Sequence, residues 1–180
     1  MITNRCSYSH ELDMGQCLEM NDALDPEQEV SDTFEPIDEP AHILLVEDDG
    51  DDTVVVSRAF AKVWVNYQLH VARDGNEALA FLRNEPGFEE APKPDLILLD
   101  LNMPKKNGFE VLLDLKADDR LKHIPVVVLT TSSDHECVLK SYQLYANSFI
   151  VKPISPDSLN DIVELVAQYW LAAVSLPKAG

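Results

Sequence analysis

The feature that most constrains the fold is the regular alternation of short apolar runs with segments of helical spacing. Five runs rich in apolar residues predict β-strands, and they are His42–Val46, Tyr67–Val71, Asp95–Asp100, Pro125–Thr130 and Asn147–Val151. Three of them have almost continuous apolar centres, which is typical of strands covered on both faces. The segments with helical spacing are Asp52–Val65, Asn76–Arg83, Gly108–Asp118, Ser133–Tyr145 and Ser155–Val174. The alternation predicts an α/β fold, a doubly wound parallel sheet with helices on both faces.

The charge of the chain is strongly negative and unevenly distributed. The 180 residues contain 14 basic and 32 acidic side chains, which gives a formal charge of −18 at pH 7. Residues 1–40 hold eleven of the acids and a single basic residue, and their few large apolar side chains predict a mostly disordered acidic leader. We expect one globular domain at residues 41–175 and a short tail at 176–180, because a chain of this length leaves little room for a second domain.

The negative charge also limits the partners and the location of the protein. Nucleic-acid phosphates and anionic lipid surfaces repel such a chain, so we expect neither a nucleic acid nor a membrane as a partner. No uncharged apolar run approaches the length of about 18 residues needed to span a membrane, and the N-terminus lacks the pattern of a secretory signal. The number of cysteines is odd, and none of the three forms a CxxC pair of the kind that binds metals. We therefore expect these thiols to be reduced. We therefore expect a cytoplasmic protein.

Polar side chains follow the predicted strands at the ends where open parallel sheets form their binding sites. They are Glu47, Asp48 and Asp49 after the first strand, Asp100 at the end of the third, Thr130 and Thr131 at the fourth, and Lys152 and Pro153 at the fifth. Singly, each has an ordinary explanation as a turn, cap or surface residue. Together, clustered carboxylates favour a bound cation such as Mg²⁺, and a carboxylate beside Mg²⁺ can attack phosphorus. With an ammonium and a hydroxyl nearby, the pattern indicates phosphoryl transfer.

Four segments resemble the receiver domain of two-component response regulators, and they occur in the order found in that family. They are Ile43-Leu44-Leu45-Val46-Glu47-Asp48-Asp49, Leu98-Leu99-Asp100-Leu101-Asn102-Met103-Pro104, Val128-Leu129-Thr130 and Val151-Lys152-Pro153. The body of the chain also resembles the small stand-alone regulators associated with phytochromes, in the segment Asn84–Pro94, the run Leu101–Gly108 and the run Leu129–Ser133. The resemblance implies a flavodoxin-like (βα)5 fold with strand order 2-1-3-4-5.

The resemblance also implies roles for the acidic residues. Asp100 is the implied phosphoacceptor, and Asp48 is the implied direct ligand of Mg²⁺. Glu47 would assist through water, and the backbone carbonyl of Asn102 would complete the protein ligands. We expect Asp49 to cap the first helix or to support the other acids.

Further roles follow for the residues at the ends of the last two strands. Thr130 is the implied switch hydroxyl, Lys152 the implied partner of the phosphoryl group, and Phe149 the implied switch aromatic. We expect a cis peptide bond between Lys152 and Pro153, which would direct the lysine into the site. Thr131 stands where a smaller residue is more common, and we expect it to narrow access to the acceptor.

The fourth and fifth helices carry more apolar residues than one core needs. These residues are Val138, Tyr142 and Tyr145 on the fourth helix and Leu165, Tyr169 and Trp170 on the fifth. The surplus predicts a homodimer through the face formed by helix four, strand five and helix five. The alternative is that Tyr169 and Trp170 only cover the core of their own domain. Tyr145 also stands where the family usually has glycine, so a positive φ at this turn would strain its backbone.

The resemblance implies a signalling protein that is not an enzyme. It would accept a phosphoryl group on Asp100 from a sensor histidine kinase, for example a phytochrome kinase, and then change conformation. No helix-turn-helix or basic stripe predicts a DNA-binding output. Two alternatives stay open, a receiver-shaped adaptor that works without phosphate and a Mg²⁺-dependent phosphatase with an aspartate nucleophile. Such phosphatases typically need a second acid two residues after the nucleophile, where this chain has Asn102.

Overall fold

A computed structural model gives the fold of the chain and describes residues 39–177. The predicted leader at 1–40 lies almost entirely outside these residues, as does most of the predicted tail at 176–180. The strands are β1 (Ala41–Val46), β2 (Tyr67–Ala72), β3 (Leu96–Leu99), β4 (Val126–Thr130) and β5 (Ser148–Val151). The helices are α1 (Gly50–Phe60), α2 (Gly75–Leu82), α3 (Gly108–Ala117), α4 (His135–Gln143) and α5 (Pro156–Ala167), and a π-helical segment, Gln168–Ala173, continues α5.

All five strands are parallel, and their order in the sheet is β2-β1-β3-β4-β5. Val46 at the end of β1 lies opposite Leu99 at the end of β3, and Leu99 lies opposite Val128 in β4. The residues that follow β1 and β3 therefore leave the sheet side by side at its carboxyl edge. The predicted α/β fold, flavodoxin-like with strand order 2-1-3-4-5, is confirmed.

Alternate strand residues face opposite sides of the sheet and fill two separate cores. One core packs residues such as Leu44 and Leu99 against α2 and α3. The other packs residues such as Leu45 and Leu98 against α1 and α5. All four side chains are at most 1% exposed, which explains the nearly continuous apolar runs of the central strands.

Helix ends follow local capping more closely than apolar spacing. Asp74 caps α2 by accepting hydrogen bonds from two backbone amides, and Asn107 forms a capping box with Glu110 at the start of α3. The prediction that the first helix runs to Val65 is wrong, because the helix ends at Phe60 and the next residues form tighter turns.

Within the described residues, no helix combines the length and apolar character that a membrane span requires.

The chain leaves α4 through a turn that requires a left-handed backbone conformation. The amide of Tyr145 donates to the carbonyl of Tyr142, and the amide of Ala146 donates to the carbonyl of Ser141. These two bonds form a Schellman motif, whose first residue after the cap usually is glycine. Tyr145 takes that position with a φ of 63° and an exposed side chain. The strain predicted at Tyr145 is therefore present in the fold.

Candidate functional site

Three carboxylates meet at the edge of the sheet where β1 and β3 end. Glu47 and Asp48 follow β1, Asp100 follows β3, and one oxygen of each lies within 4.8 Å of those of the other two. Glu47 and Asp100 are buried, whereas Asp48 is exposed. This grouping follows from the register, because β1 and β3 are neighbours that end at the same level.

Lys152 supplies a positive charge to this carboxylate cluster. Its Nζ lies 2.5 Å from Glu47 Oε2, 2.8 Å from Asp52 Oδ2 and 3.3 Å from Asp100 Oδ2. The Lys152 side chain is only 3% exposed, so its ammonium depends on these partners. The structure thus brings together Glu47, Asp48, Asp100 and Lys152, four of the five predicted residues with charged side chains at these strand ends.

The predicted cis bond between Lys152 and Pro153 is wrong. No peptide bond among the described residues is cis. The lysine still reaches the site because its amide donates to the carbonyl of Thr130 at 2.7 Å, which continues the pairing of β5 with β4 beyond Val151. Pro153 itself is half-buried.

Asp52 contacts Lys152 although the sequence did not identify it as a site residue. It lies in the first turn of α1, and its side chain is 31% exposed. The available signal was its position in the first turn of a helix that starts at this edge of the sheet. Asp49 caps the same helix by accepting from the amides of Asp51 and Asp52 at 2.7 and 3.3 Å, so its predicted capping role is confirmed.

Burial changes the proton affinities of the groups in the cluster. It raises the pKa of Glu47 from 4.5 to about 7, and the hydrogen bond and charge of Lys152 offset this only in part. Burial alone lowers the pKa of Lys152, but hydrogen bonds to Asp52 and Glu47 and the nearby acidic charges outweigh it and raise the pKa above its ordinary value. The site therefore combines a charged ammonium with a carboxyl group that keeps its proton up to near-neutral pH.

The donor set fits a hard divalent cation. Carboxylate oxygens are the ligands that Mg²⁺ and similar ions prefer, and three of them lie close together here. A cation at this position would displace the proton of Glu47 and relieve the repulsion among the acids.

Asn102 and Thr130 border the cluster on its other side. The amide of Asn102 donates to Asp100 Oδ1 at 3.2 Å, and its side-chain Nδ2 donates to Thr130 Oγ1 at 3.3 Å. Thr130 is fully buried, Thr131 is exposed, and Phe149 is half-buried against the core beside α2 and α3. Asn102 thus connects the carboxylate after β3 to the hydroxyl at the end of β4. The use of its backbone carbonyl as a ligand stays a prediction.

The loop between β3 and α3 is fixed tightly against its surroundings. Lys105 adopts a φ of 64° and forms an ion pair with Asp74, the N-cap of α2. A Cβ at Gly108 would collide with the backbone carbonyl of Asp100, so this close approach requires glycine. These contacts hold the loop that carries Asn102 next to the carboxylates.

The predicted partner face is only partly exposed. Tyr142, Tyr145, Leu165 and Tyr169 have exposed side chains, and Val138 is half-buried. Trp170 packs against the core beside α1 and α5, with its ring 5.4 Å from that of Tyr169. The alternative interpretation, coverage of the domain's own core, fits Trp170, whereas Tyr169 faces solvent.

Comparison with known proteins identifies the family. Residues 43–164 match the model of the response regulator receiver domain. The chain belongs to that family. It is similar to the response regulator Rcp1 of Synechocystis sp., with 43% identity over 140 residues that cover 78% of this chain and 95% of Rcp1.

Two solved structures resemble this receiver domain closely. The Mn²⁺-bound form of response regulator Rcp1 shares 42% identity and a TM-score of 0.75, covering 77% of this chain and 100% of that one. The phosphorylated cyanobacterial phytochrome response regulator RcpA shares 43% identity and a TM-score of 0.76, covering 78% of this chain and 100% of that one. The predicted resemblance to receivers, and to the small phytochrome-associated regulators among them, is confirmed.

Proposed function

We propose that this receiver domain accepts a phosphoryl group on Asp100 from a sensor histidine kinase in a Mg²⁺-dependent reaction, and that it signals by changing conformation. The observation that carries the proposal is the convergence of three carboxylates with Lys152 at one edge of the sheet. Asp100 is well placed as the acceptor because its Oδ2 lies 3.3 Å from a buried ammonium that can neutralise an incoming phosphoryl oxygen.

Glu47, Asp48 and Asp100 would hold the cation, together with the backbone carbonyl of Asn102. When bound, the cation neutralises the negative charge of the phosphoryl oxygens. Glu47 must release its proton to take part, and because its pKa is raised to about 7, this release opposes cation binding at lower pH.

In the transfer, an oxygen of Asp100 forms a bond to phosphorus while the bond from phosphorus to the kinase histidine nitrogen breaks. The electron pair of the broken bond stays on the imidazole, and the product is an acyl phosphate. Lys152 donates a hydrogen bond to a phosphoryl oxygen and stabilises the negative charge of the phosphoryl group. Catalysis by this domain consists of positioning and charge neutralisation, since no further covalent step is needed.

Thr130 is the proposed sensor of the phosphoryl group. Its Oγ1 accepts hydrogen bonds from Asn102 Nδ2 and from the amide of Ser132, which leaves its own proton free to be donated. A phosphoryl oxygen on Asp100 would attract that proton and draw Thr130 toward the site. Phe149, which packs against the same core as Val128 of β4, would follow the movement.

The proposed phosphoryl donor is a phytochrome kinase, and the proposed location is the cytoplasm. The similarity to the phytochrome response regulator RcpA supports the first of these. We also propose a homodimer through the face of α4, β5 and α5, which the exposed apolar side chains of Tyr142, Leu165 and Tyr169 support.

The test is incubation of the full chain with acetyl phosphate and Mg²⁺, followed by intact-mass measurement at neutral pH. We expect one phosphoryl group per wild-type chain and none in Asp100→Asn, because an amide cannot form the acyl phosphate. Asp119→Asn is the matched control, since that carboxylate is exposed and its ion pair within residues 39–177 is with Lys122 at the surface. We expect the control to be modified like the wild type.

Each alternative function predicts a different result. An adaptor that works without phosphate would leave the wild type unmodified. A phosphatase would hydrolyse a generic phosphoester with turnover, which we do not expect because Asn102 stands where a general acid is needed. Stoichiometric labelling of Asp100→Asn at another residue would refute the assignment of the acceptor.

A further inference from the structure

The ammonium of Lys152 is shared among three carboxylates, and the contact to the acceptor is the longest. An ammonium has three N–H donors. The distances from Nζ are 2.5 Å to Glu47, 2.8 Å to Asp52 and 3.3 Å to Asp100. All three donors therefore have partners, and a phosphoryl oxygen can gain a donor only if one of these bonds weakens.

Asp52 differs from the other two partners in position. Its carboxylate is not part of the group of three acids that could hold a cation. Its side chain is 31% exposed, whereas that of Glu47 is 1% exposed. Its backbone position is fixed by the N-cap of α1, because its amide donates to Asp49 Oδ1. Asp52 therefore contacts the site through Lys152.

Breaking the ion pair of Lys152 with Asp52 costs less free energy than breaking its ion pair with Glu47. Water can solvate a partly exposed carboxylate that loses its ion-pair partner, whereas a buried carboxylate left alone is strongly penalised. The donor at 3.3 Å from Asp100 turns to the phosphoryl group once Asp100 is an acyl phosphate, and a second donor for the phosphoryl oxygens would come from Asp52 and not from Glu47.

We propose that Asp52 is a positioning residue that holds the Lys152 ammonium in the resting state and competes for it with a phosphoryl group on Asp100. This inference rests on the proposed function and concerns the regulation of the same site. Removing the charge of Asp52 frees the ammonium and favours the phosphorylated form. The residue at this position therefore affects the stability of the phosphorylated form of the domain.

The chain provides a matched control in the neighbouring residue. Asp51 also lies in the first turn of α1 and has the same favourable interaction with the helix dipole. It is exposed, and the ion pairs of Lys152 do not include it. Asp51→Asn therefore removes one charge from the same turn without removing a partner of the lysine.

The experiment measures the affinity for beryllofluoride, a phosphoryl mimic, at saturating Mg²⁺ by ¹⁹F NMR. We expect Asp52→Asn to bind about twofold to fivefold more tightly than the wild type, the upper part of the range for a partly exposed ion pair. Asp51→Asn should match the wild type, and Asp52→Glu, which restores the charge, should return the affinity toward that of the wild type. Thermal unfolding of each variant verifies that the fold is retained.

A second measurement separates positioning from a general charge effect. The ¹³C signal of the Lys152 Cε, assigned with Lys152→Arg, reports on the surroundings of the ammonium. In resting Asp52→Asn we expect it to move toward its position in the beryllofluoride-bound wild type, while Asp51→Asn leaves it in place. An unmoved signal would overturn the positioning role.

The outcomes also separate this inference from the proposed function. A wild type that does not bind beryllofluoride would contradict the proposed function itself. A wild type that binds, with Asp52→Asn binding no more tightly than Asp51→Asn, would overturn only the role of Asp52.

Discussion

Replacing Glu47 by glutamine should change how the stability of this domain depends on pH. In the metal-free fold, the pKa of Glu47 is raised to about 7 from its ordinary value of 4.5. Between these two values the folded protein holds a proton that the unfolded chain has released. The free energy of unfolding therefore falls as the pH rises through this window, and the stabilisation is complete only below about pH 4.5.

The size of the effect follows from the two pKa values. Each pH unit between 4.5 and about 7 lowers the free energy of unfolding by about 1.4 kcal/mol. The ionisation of Glu47 therefore lowers it by about 3 kcal/mol in total by pH 8. Glutamine has nearly the same shape and does not titrate. We expect the stability of the wild type relative to Glu47→Gln to fall by about 3 kcal/mol between pH 4.5 and pH 8.

The assay is urea unfolding followed by circular dichroism, in buffers that contain a chelator. Glu90→Gln is the control, because that carboxylate is exposed and its replacement should leave the pH dependence unchanged. Equal pH dependence in the wild type and Glu47→Gln would refute the reasoning, as would a relative gain of wild-type stability with rising pH. Mg²⁺ affinity of the wild type should meanwhile rise from pH 6 to pH 8, since the cation and the proton compete for Glu47.

Four further outcomes are expected. Asp48→Asn should weaken Mg²⁺ binding at least about tenfold in isothermal titration, because an anionic oxygen is lost from a site of three carboxylates, and equal affinity would contradict this. Thr130→Ala should take up phosphate from acetyl phosphate but lose the phosphorylation-dependent change in its amide NMR spectrum; an unaltered change would argue against a switch role. Tyr145→Gly should raise the free energy of unfolding by about 1 kcal/mol in urea, because it relieves a φ of 63° at an exposed position, and a less stable variant would disprove the strain. Tyr142→Glu should give monomers in sedimentation if the proposed dimer forms, whereas a wild type that is monomeric at tens of micromolar, with and without phosphate, would refute the dimer.

The strands could be predicted closely because their pattern comes from burial on both faces. The observed third strand, Leu96–Leu99, lies inside the predicted Asp95–Asp100, and the fourth begins one residue after the predicted Pro125. Helix ends were harder to predict, because apolar spacing continues past the point where backbone bonding changes. The predicted last helix, Ser155–Val174, is an α-helix only to Ala167 and continues with π-helical bonding.

In the candidate site, the features that follow from strand order could be predicted, and those that depend on side-chain conformation could not. Glu47, Asp48 and Asp100 could be placed together because parallel strands end at one edge, and this required no knowledge of rotamers. The contact of Asp52 with Lys152 could not be predicted in this way. It depends on the conformations of two side chains, one on the first turn of α1 and one at the end of β5. The predicted cis bond before Pro153 was likewise wrong, since no peptide bond among the described residues is cis.

The alternation of residues between the two cores has a consequence for how such domains can diverge. Leu98 faces the core beside α1 and α5, and Asp100 continues that side of its strand; Val128 faces the core beside α2 and α3, and Thr130 continues that side. The acceptor and the hydroxyl proposed to sense it thus belong to opposite halves of the molecule, joined across the sheet edge by Asn102. A lineage that repacks either layer therefore shifts one of these two groups relative to the other, so neither layer can diverge without affecting the phosphate site.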